Sequence, residues 1–412
     1  MTTGAATDRP GAEAVAAVVH ADGLSGPAGV AGFSGGAGAV AVPRYGTSTL
    51  ADLAGSVLAS LGVDAGTNPL GLPATKVACV FLVDGLGAEQ LAGHPTDAPV
   101  LHAALQRGRR LHAGFPSTTA TSLTSLGTGI PPGRHGIVGY QTAIPGTGRL
   151  LNALHWDDAV DPLAWQPVRT LFERAVDAGV RVVRISKRDF RESGLTRAAL
   201  RGGEYLPADV FGEIVARLHH VLREAARSPR PTFIYAYVSD LDWAGHGHGV
   251  DSDAWRWQLR FVDRLVEAIV SGLPPECRLY LTGDHGMVDV SERIDIEAEP
   301  ELLRDVELVG GEARVRYLYT KAGAAEEVAG RWRARLGDRA LIVSRTAAIE
   351  AGWFGELDDR VALRIGDVIV AALGTLALVC GQTHPREARM VGHHGSLTAA
   401  EQWVPLLEFA AG

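Results

Sequence analysis

Cysteine is scarce in this sequence. Its 412 residues include three, Cys79, Cys277 and Cys380, and no two of them form a C-x-x-C pair. Small domains that depend on disulfides carry many more cysteines at close spacing. The sequence therefore argues against a disulfide framework, and the two cysteines that lie in apolar runs are expected to be buried hydrophobic residues in strands.

Long hydrophobic runs and targeting signals are also lacking. The longest apolar run, Val368 to Cys380, is shorter than the roughly 20 residues that a membrane helix needs. The first residues have neither a basic stretch nor a compact apolar stretch of the kind that marks a signal peptide. We therefore expect a soluble cytoplasmic protein without a membrane segment.

A surplus of basic residues is absent as well. Lys and Arg number 39 against 47 Asp and Glu, which leaves a formal charge of −8. A nucleic-acid-binding surface would need a basic excess on at least one face, so none is expected. A small anionic substrate is still compatible with this charge, because bound metal ions would supply positive charge locally.

Residues 1–43 are dominated by Gly and Ala and are predicted to be a flexible leader. The leader contains Gly32-Phe33-Ser34-Gly35-Gly36, which matches the G-x-S-x-G nucleophile elbow. That elbow requires a strand before it and a helix after it, and low-complexity flanks provide neither. We interpret the match as chance.

Apolar strand-like runs alternate with amphipathic helical segments from residue 44 onward. The strands are predicted at Val77–Val83, Thr232–Val238 and Arg278–Leu281, and the helices at Thr47–Leu61, Val168–Ala178 and Ala208–Ala226, the first capped by Ser48. Such alternation predicts an α/β fold with a mostly parallel central sheet and helices on both faces.

The pattern changes after residue 290, where strands are predicted at Val315–Thr320, Ala340–Ser344 and Val361–Ile365 and a helix at Ala324–Leu336. We interpret residues 291–390 as a small α+β subdomain inserted into the catalytic core, which would comprise 44–290. Residues 391–412 would return to that core.

Acidic residues and histidines follow three of the predicted strands. Asp84 comes after the first strand, Asp242 and His246 after the second, and Asp284 and His285 after the third. In a parallel sheet the strand ends share one edge, where ligands bind. Carboxylates and imidazoles are ligands of Zn²⁺ and similar ions, and so many carboxylates need a cation between them. The glycines at 245, 247 and 249 favour a loop around His246.

A further imidazole comes from His393 or His394, which lie between glycines after the inserted segment. The pattern alone does not choose between them.

The hydroxyl-rich stretch Phe115 to Gly129 predicts a helix that begins near residue 120 and ends at Gly127 or Gly129. Its N-terminus would favour an anion, and a metal-bound hydroxyl there could attack phosphorus.

Several motifs then stand in a fixed order. They are Asp84-Gly85, Phe115-Pro116-x-x-Thr119, Thr128-Gly129-Ile130-x-Pro132-x-x-His135-Gly136-Ile137, Asp242-x-x-Gly245-His246-x-x-Gly249, Asp284-His285-Gly286-Met287 and His394-Gly395. Together they resemble the signatures of nucleotide pyrophosphatases/phosphodiesterases in the alkaline phosphatase superfamily, over about residues 77–397.

The resemblance implies a threonine nucleophile, Thr119, and two divalent metal ions, Zn²⁺ or alternatively Mn²⁺. It implies one site formed by Asp84, Asp284, His285 and the Thr119 oxygen. It implies a second site formed by Asp242, His246 and His394, and so selects His394 over His393.

The sequence departs from the family where an asparagine usually contacts a phosphoryl oxygen. Gly139-Tyr140-Gln141 stands there instead. Tyr140 or Gln141 is a candidate replacement, and Lys187 and Arg188 are candidate contacts for a phosphate, although surface charge is the commoner explanation for such residues.

The predicted function is hydrolysis of phosphate diester or pyrophosphate bonds in small, nucleotide-type substrates. A phosphomonoesterase or phosphonate hydrolase is the alternative, and a mutase or a non-catalytic metal-binding domain a lesser one. A sulfatase is disfavoured because no Cys/Ser-x-Pro-x-Arg segment stands at the nucleophile, and a dehydrogenase because no G-x-G-x-x-G follows a strand. The sequence indicates no oligomeric state.

Overall fold

The computed structural model of the protein describes residues 40–64 and 66–411. The G-x-S-x-G match lies outside the described residues, as does most of the predicted leader. Val40 forms a β-bridge with Thr398, and the Ala41 N–H donates to the Leu397 carbonyl. The last residues of the predicted leader are therefore tied to the body of the protein.

The described residues form seventeen strands. In chain order they are Val77–Val83 (β1), Arg109–His112 (β2), Gln141–Ile144 (β3), Arg149–Asn152 (β4), Arg181–Ser186 (β5), Glu204–Pro207 (β6), Thr232–Val238 (β7), Cys277–Thr282 (β8), Val288–Asp289 (β9), Glu292–Asp295 (β10), Val306–Glu312 (β11), Val315–Thr320 (β12), Ala340–Ser344 (β13), Val368–Ala372 (β14), Leu376–Val379 (β15), Gly392–His393 (β16) and Trp403–Ala410 (β17).

The same residues form sixteen α-helical segments. They are Leu50–Ser60 (α1), Ala88–Gly93 (α2), Pro99–Leu105 (α3), Thr119–Thr128 (α4), Pro132–His135 (α5), Pro162–Trp165 (α6), Leu171–Asp177 (α7), Gly194–Ala199 (α8), Phe211–Arg227 (α9), Asp240–His248 (α10), Asp253–Ser271 (α11), Pro300–Leu303 (α12), Ala325–Leu336 (α13), Arg345–Glu350 (α14), Asp359–Ala362 (α15) and Ala399–Gln402 (α16).

The central sheet has seven strands in the order β2-β17-β8-β1-β7-β5-β6. Strand β1 pairs in parallel with β7 and β8, and β5 pairs in parallel with β6 and β7. Strand β17 is antiparallel to both of its neighbours, β2 and β8. The sheet is thus mostly parallel, as the sequence predicted.

Both faces of this sheet are covered. Every residue of β1 is buried, and alternate residues enter different cores. Ala78, Val80 and Leu82 pack in the core that contains α1, α4 and α7, whereas Val77, Cys79, Phe81 and Val83 pack in the core that contains α9 and α11. A strand buried on both faces must be apolar throughout, which explains the continuous run that identified it. The predicted α/β fold class is confirmed.

A second sheet, in the order β11-β12-β14-β13, is antiparallel throughout and is covered by α13. It comes from the segment predicted to be inserted. The domain limits 44–290, 291–390 and 391–412 remain a proposal, and strand β17 within the last range completes the central sheet.

Three local predictions were wrong. The segment Val361–Ile365 is not a strand: the Asp358 carboxylate accepts the Arg360 N–H at the start of α15, which contains Val361, and Ile365 lies beyond the end of that helix. Thr49, not Ser48, precedes α1, and Asp52 accepts hydrogen bonds from its N–H and hydroxyl.

The third wrong prediction concerns the glycine-rich loop around His246, which is the helix α10. A Cβ on Gly245 would lie 2.3 Å from Met287 Sδ, so this glycine serves close packing. Gly249, with φ +89°, follows the helix and ends it.

Candidate functional site

The acidic residues predicted at strand ends do lie at one edge of the central sheet. Asp84 follows β1, and Asp284 and His285 follow β8, its parallel neighbour. Asp242 lies in the first turn of α10, directly after β7 on the other side of β1. Three segments that are far apart in the sequence therefore meet beside β1.

A first group comprises Asp84, Asp284 and His285, whose candidate ligand atoms all lie within 4.8 Å of one another. The Nε2 atom of His285 is 3.4 Å from Asp84 Oδ1 and 3.6 Å from Asp284 Oδ2. All three residues are buried. Bulk water therefore does not solvate the two carboxylates, so their negative charge needs a positive charge within the site.

A second group comprises Asp242, His246 and His394 and meets the same 4.8 Å limit. His246 lies one helical turn after Asp242 on α10, and its Nε2 is 3.4 Å from Asp242 Oδ2. His394 follows β16, and its Nε2 is 3.2 Å from His246 Nε2. The predicted ligand His394, rather than His393, is thus the histidine that joins this group.

Backbone carbonyls orient all three imidazoles in the same way. The Nδ1 atoms of His285, His246 and His394 lie 3.0, 2.8 and 2.9 Å from backbone carbonyl oxygens. The accepting carbonyls belong to Gly286, Gly392 and Ser117, respectively. A neutral ring that donates from Nδ1 carries its lone pair on Nε2, the tautomer that binds a metal. Each Nε2 faces its group.

The unpaired atoms of the two groups fit a divalent cation in each. Asp84 Oδ1, Asp284 Oδ2 and Asp242 Oδ1 are buried and have no hydrogen-bond partner among the described residues. The lone pairs of His246 and His394 would oppose each other at 3.2 Å unless a cation or proton lies between them. Hard oxygen and borderline nitrogen donors in this ratio suit Zn²⁺ or Mn²⁺.

The protonation equilibria of the first group reflect the same crowding of charge. Burial, followed by the charge of Asp84, raises the pKa of Asp284 to about 7. Burial alone would lower the pKa of His285, but the carboxylates of Asp284 and Asp84 raise it well above its usual value. Both pKa shifts have the same cause, which is negative charge gathered in a buried site.

The two groups adjoin each other. The rings of His285 and His394 are stacked, with centroids 3.6 Å apart and planes 20° apart. Burial and the nearby His285 lower the pKa of His394 well below its usual value, so this ring is neutral. The two groups therefore form one continuous cluster of carboxylates and imidazoles.

Thr119, the predicted nucleophile, is the first residue of α4, which ends at Thr128 before Gly129 in the left-handed conformation. Its Oγ1 lies 3.3 Å from His285 Nε2, so it borders the first group. The preceding hydroxyls are directed elsewhere: Ser117 donates to the Ser396 carbonyl and Thr118 to Glu312. Among these three consecutive hydroxyls, Thr119 is the one that faces the metal-ligand candidates.

The motif around His135 supports the helix that carries Thr119. His135 Nδ1 accepts the Ile137 N–H at 3.1 Å, so its Nε2 donates to Ser125 Oγ in α4 at 3.0 Å. Burial lowers the pKa of His135 to about 3. This histidine is a neutral connection between the motif and α4, away from the ligand groups.

The two residues in place of the expected asparagine lie in different environments. Tyr140 is half-buried, and burial raises the pKa of its hydroxyl, while hydrogen bonding to the Asn152 side chain opposes that rise. Gln141 begins β3 and is buried, with Oε1 unpaired among the described residues. Both remain candidate phosphoryl donors.

The candidate phosphate contacts Lys187 and Arg188 have other partners. Lys187 Nζ lies 3.1 Å from Ser239 Oγ and 3.2 Å from Asp240 Oδ1. Arg188 Nε pairs with Asp209 Oδ2 at 3.4 Å. Lys187 thus contacts Asp240 in the first turn of α10, two residues before Asp242, whereas Arg188 pairs with Asp209.

Sequence reasoning missed two residues of the site. Tyr237 in β7 donates from its hydroxyl to Asp84 Oδ2. Its position in a buried strand, next to the end at which Asp242 follows, could have indicated it. Glu312, at the end of β11, lies 3.7 Å from His394 Nδ1, and burial raises its pKa to about 8. No motif marks Glu312, because the inserted sheet delivers it.

A family model for type I phosphodiesterase/nucleotide pyrophosphatase matches residues 78–397. The chain belongs to this family. The predicted resemblance is therefore confirmed, and the matched range contains all seven predicted metal-ligand and nucleophile positions, from Asp84 to His394.

Curated relatives and solved structures add to this result. Phosphopentomutases of Anaeromyxobacter dehalogenans (strain 2CP-1) and Anaeromyxobacter sp. (strain K) are 30% identical over 162 residues, 38% of this chain. The match spans 39% of the length of those relatives.

Two solved structures share the fold. Murine ectonucleotide pyrophosphatase/phosphodiesterase 5, inactive and in complex with AMP, matches with a TM-score of 0.65 and 17% identity, over 82% of this chain and 88% of that one. Phosphonoacetate hydrolase from Sinorhizobium meliloti 1021 in complex with phosphonoacetate matches with a TM-score of 0.61 and 20% identity, over 82% and 90%.

Every helix in the described part of the chain is too short or too polar to cross a bilayer.

Proposed function

We propose that this protein is a two-metal hydrolase that cleaves phosphate diester or pyrophosphate bonds in nucleotide-type substrates, with Thr119 as the nucleophile. The observation that carries the proposal is the position of Thr119. Its hydroxyl lies at a helix N-terminus, 3.3 Å from His285, beside two adjoining groups of carboxylates and imidazoles. Family membership supports a hydrolase that acts on phosphate esters.

Seven side chains would hold two divalent ions, most simply Zn²⁺. Asp84, Asp284, His285 and the Thr119 oxygen would form the first site, and Asp242, His246 and His394 the second. When bound, the ions would lower the pKa of the attacking hydroxyl and of water and would neutralise charge on the phosphoryl group. The histidines would bind through Nε2, because their Nδ1 atoms are committed to backbone carbonyls.

The reaction is a double displacement at phosphorus. Thr119 Oγ gives its proton to solvent and forms a bond to phosphorus, while the bond to the leaving oxygen breaks and that oxygen departs with the electron pair as an anion. A water molecule then attacks the phosphothreonine, its oxygen forms the new bond to phosphorus, and the Thr119 oxygen leaves and recovers a proton. The N-terminus of α4 directs its dipole toward the phosphoryl oxygens during both steps.

Substrate contacts in the proposal come from the rim of the site. Tyr140 or Gln141 would donate to a phosphoryl oxygen in place of the family's usual asparagine. Lys187 would need to leave Asp240 to reach a substrate, and Arg188 to leave Asp209. We therefore rank Tyr140 and Gln141 before the two cations as substrate contacts.

A phosphonate hydrolase or phosphomonoesterase is the second candidate. The replacement of the asparagine by Tyr140-Gln141 favours it, since a different donor suits a different phosphoryl substituent. A phosphomutase is a third candidate, which the partial match to phosphopentomutases supports. In a mutase the phosphothreonine would transfer its phosphoryl group to a sugar hydroxyl instead of water.

The nucleophile is tested with Thr119→Ala and a matched control, Thr124→Ala, on the same helix. The Thr124 hydroxyl donates to the Ala120 carbonyl of its own helix at 2.7 Å and does not face the ligand groups. We expect Thr119→Ala to lose turnover of bis(p-nitrophenyl) phosphate at least about a thousandfold while its bound-metal content stays near that of the wild type. A Thr119→Ala enzyme with nearly wild-type turnover would contradict the assignment.

The substrate class is tested with the zinc-loaded wild type under one condition. The panel comprises bis(p-nitrophenyl) phosphate, a nucleotide nitrophenyl diester, p-nitrophenyl phosphate and phosphonoacetate. We expect the nucleotide diester to give the highest kcat/KM. Strong preference for the monoester or the phosphonate would overturn the diesterase proposal in favour of the second candidate.

Chelation should abolish turnover and zinc should restore it, which a non-catalytic metal-binding domain would not show.

A further inference from the structure

The hydroxyl of Thr118 does not cap the helix that follows it. Thr118 occupies the N-cap position of α4, with φ −141° and ψ 146°, but its side chain makes no hydrogen bond to that helix. It donates instead to Glu312 Oε2 at 3.3 Å, across to the second sheet. A threonine at an N-cap usually accepts the N–H of the second or third helical residue, so this arrangement departs from the common one.

Because Thr118 does not cap α4, the backbone N–H groups in the first turn of this helix have no hydrogen-bond acceptor among the described residues. The N–H groups of Thr119, Ala120 and Thr121 form no hydrogen bond with another described residue. These groups point along the helix axis from the end at which Thr119 begins, and they carry the positive end of the helix dipole. A phosphoryl group attacked by Thr119 Oγ would lie within their reach.

Glu312 is held in place by its surroundings. It ends β11, where it pairs with Val315 across the hairpin to β12. The residue is only 9% exposed. A Cβ on Gly395 would lie 3.0 Å from Glu312 Cδ, and Gly395 has φ +131°, so glycine at this position makes room for the carboxylate beside His394. The acceptor for Thr118 is therefore fixed before any substrate binds.

We propose that Glu312 is a positioning residue that turns the Thr118 hydroxyl away from α4, so that the first N–H groups of the helix remain free to bind the transferred phosphoryl group. The inference rests on the function proposed above. It gives the second sheet a part in the reaction, because a side chain of that sheet sets the state of the helix end that carries the nucleophile.

Removing Glu312 should allow Thr118 to cap its own helix and to compete with the phosphoryl group for the same N–H groups. An N-cap hydrogen bond stabilises a helix by about 1 kcal/mol, which corresponds to roughly a fivefold effect on an equilibrium constant. We therefore expect Glu312→Ala to raise the inhibition constant for inorganic phosphate about fivefold and to lower kcat/KM by at least the same factor. Metal content should remain near that of the wild type.

A double variant separates this role from simple bracing of the fold. Valine has the shape of threonine but cannot accept the helix N–H, so Thr118→Val in the Glu312→Ala background removes the competing cap. We expect the double variant to recover most of the phosphate affinity that Glu312→Ala loses. The measurement is inhibition of bis(p-nitrophenyl) phosphate turnover by inorganic phosphate, with zinc-loaded enzymes. Glu301→Ala, an exposed glutamate near the same sheet, serves as the control.

Two results would overturn the inference: Glu312→Ala with unchanged phosphate affinity, or a double variant no better than Glu312→Ala. Phosphate binding can also be measured directly by calorimetry, which does not require turnover. If Thr119→Ala retained activity, the proposed function would fail, while the phosphate affinities of the Glu312 and Thr118 variants would still decide the positioning role. The two failures are thus distinguishable.

Discussion

Tyr237→Phe should weaken one metal site and leave the other unchanged. The Tyr237 hydroxyl donates to Asp84 Oδ2, and Asp84 Oδ1 is the oxygen left for a cation. The Asp84 side chain is 5% exposed, so water cannot replace the lost hydrogen bond. A hydrogen bond to a charged group contributes about 1.5–3 kcal/mol, and loss of such an orienting partner lowers metal affinity about tenfold to a hundredfold.

Tyr235→Phe is a close control for this change. Tyr235 lies two residues earlier on β7, on the same side of the strand, and its buried hydroxyl has no hydrogen-bond partner among the described residues. Removal of an unsatisfied buried hydroxyl is neutral or slightly stabilising. We therefore expect Tyr235→Phe to bind both ions as the wild type does.

The assay is a zinc titration of the metal-free protein in competition with a chromophoric chelator, analysed for two sites. Tyr237→Phe should show one dissociation constant raised about tenfold to a hundredfold and one near its original value. If the curves of Tyr237→Phe and Tyr235→Phe superimpose, the tyrosine does not orient Asp84 and the reasoning is refuted. If both constants rise equally, the two groups do not act as separate sites.

Three further predictions concern stability and metal dependence. Burial holds the pKa of His135 at about 3, so between about pH 6.5 and pH 3 the unfolded chain binds a proton at this residue and the folded chain does not, and the free energy of unfolding should fall as the pH decreases. In urea titrations at several pH values, His135→Asn should reduce this pH dependence by up to about 1.4 kcal/mol per pH unit. An unchanged pH dependence would contradict the assignment of His135 as a neutral buried residue. Gly286→Ala should lower the melting temperature strongly, because its Cβ would lie 1.9 Å from the Ala400 carbonyl oxygen, whereas Gly247→Ala, with no atom within 4 Å, should be neutral or stabilising; equal melting temperatures would refute this packing argument. Removal of metal by a chelator should lower the melting temperature, and zinc should restore it in proportion to concentration above the dissociation constant; a melting temperature independent of zinc would count against both sites.

The strand ends could be predicted because they are determined by local sequence. A fully buried parallel strand such as Val77–Val83 must be apolar throughout, and its end is marked by the first charged residue, Asp84. The same reasoning located Asp284 after β8, whereas Asp242, which follows Asp240, was selected together with His246 four residues later. The helix predicted to begin near residue 120 begins at Thr119, and of the two glycines predicted to end it, Gly129 does so in the left-handed conformation.

The remaining features depend on contacts between distant segments, which no local pattern records. The segment predicted to be a loop around His246 is a helix, in which Gly245 allows close packing against Met287 and Gly392. Glu312 reaches Thr118 only through the register of the β11–β12 hairpin. Resemblance to a known family, rather than spacing, was needed to choose Thr119 and His394 among their neighbours.

The order of the ligands along the chain bears on how the protein matures during synthesis. All carboxylates and imidazoles of the first group have been translated once His285 leaves the ribosome, together with the parallel strands β1 and β8 that position them. The second group is complete only when His394 has been translated, after the whole second sheet. With cations held as proposed, a nascent chain could capture its first ion early, but it would remain unable to process a substrate until the final imidazole arrives. Late completion of the second metal site would thus keep the incomplete chain inactive.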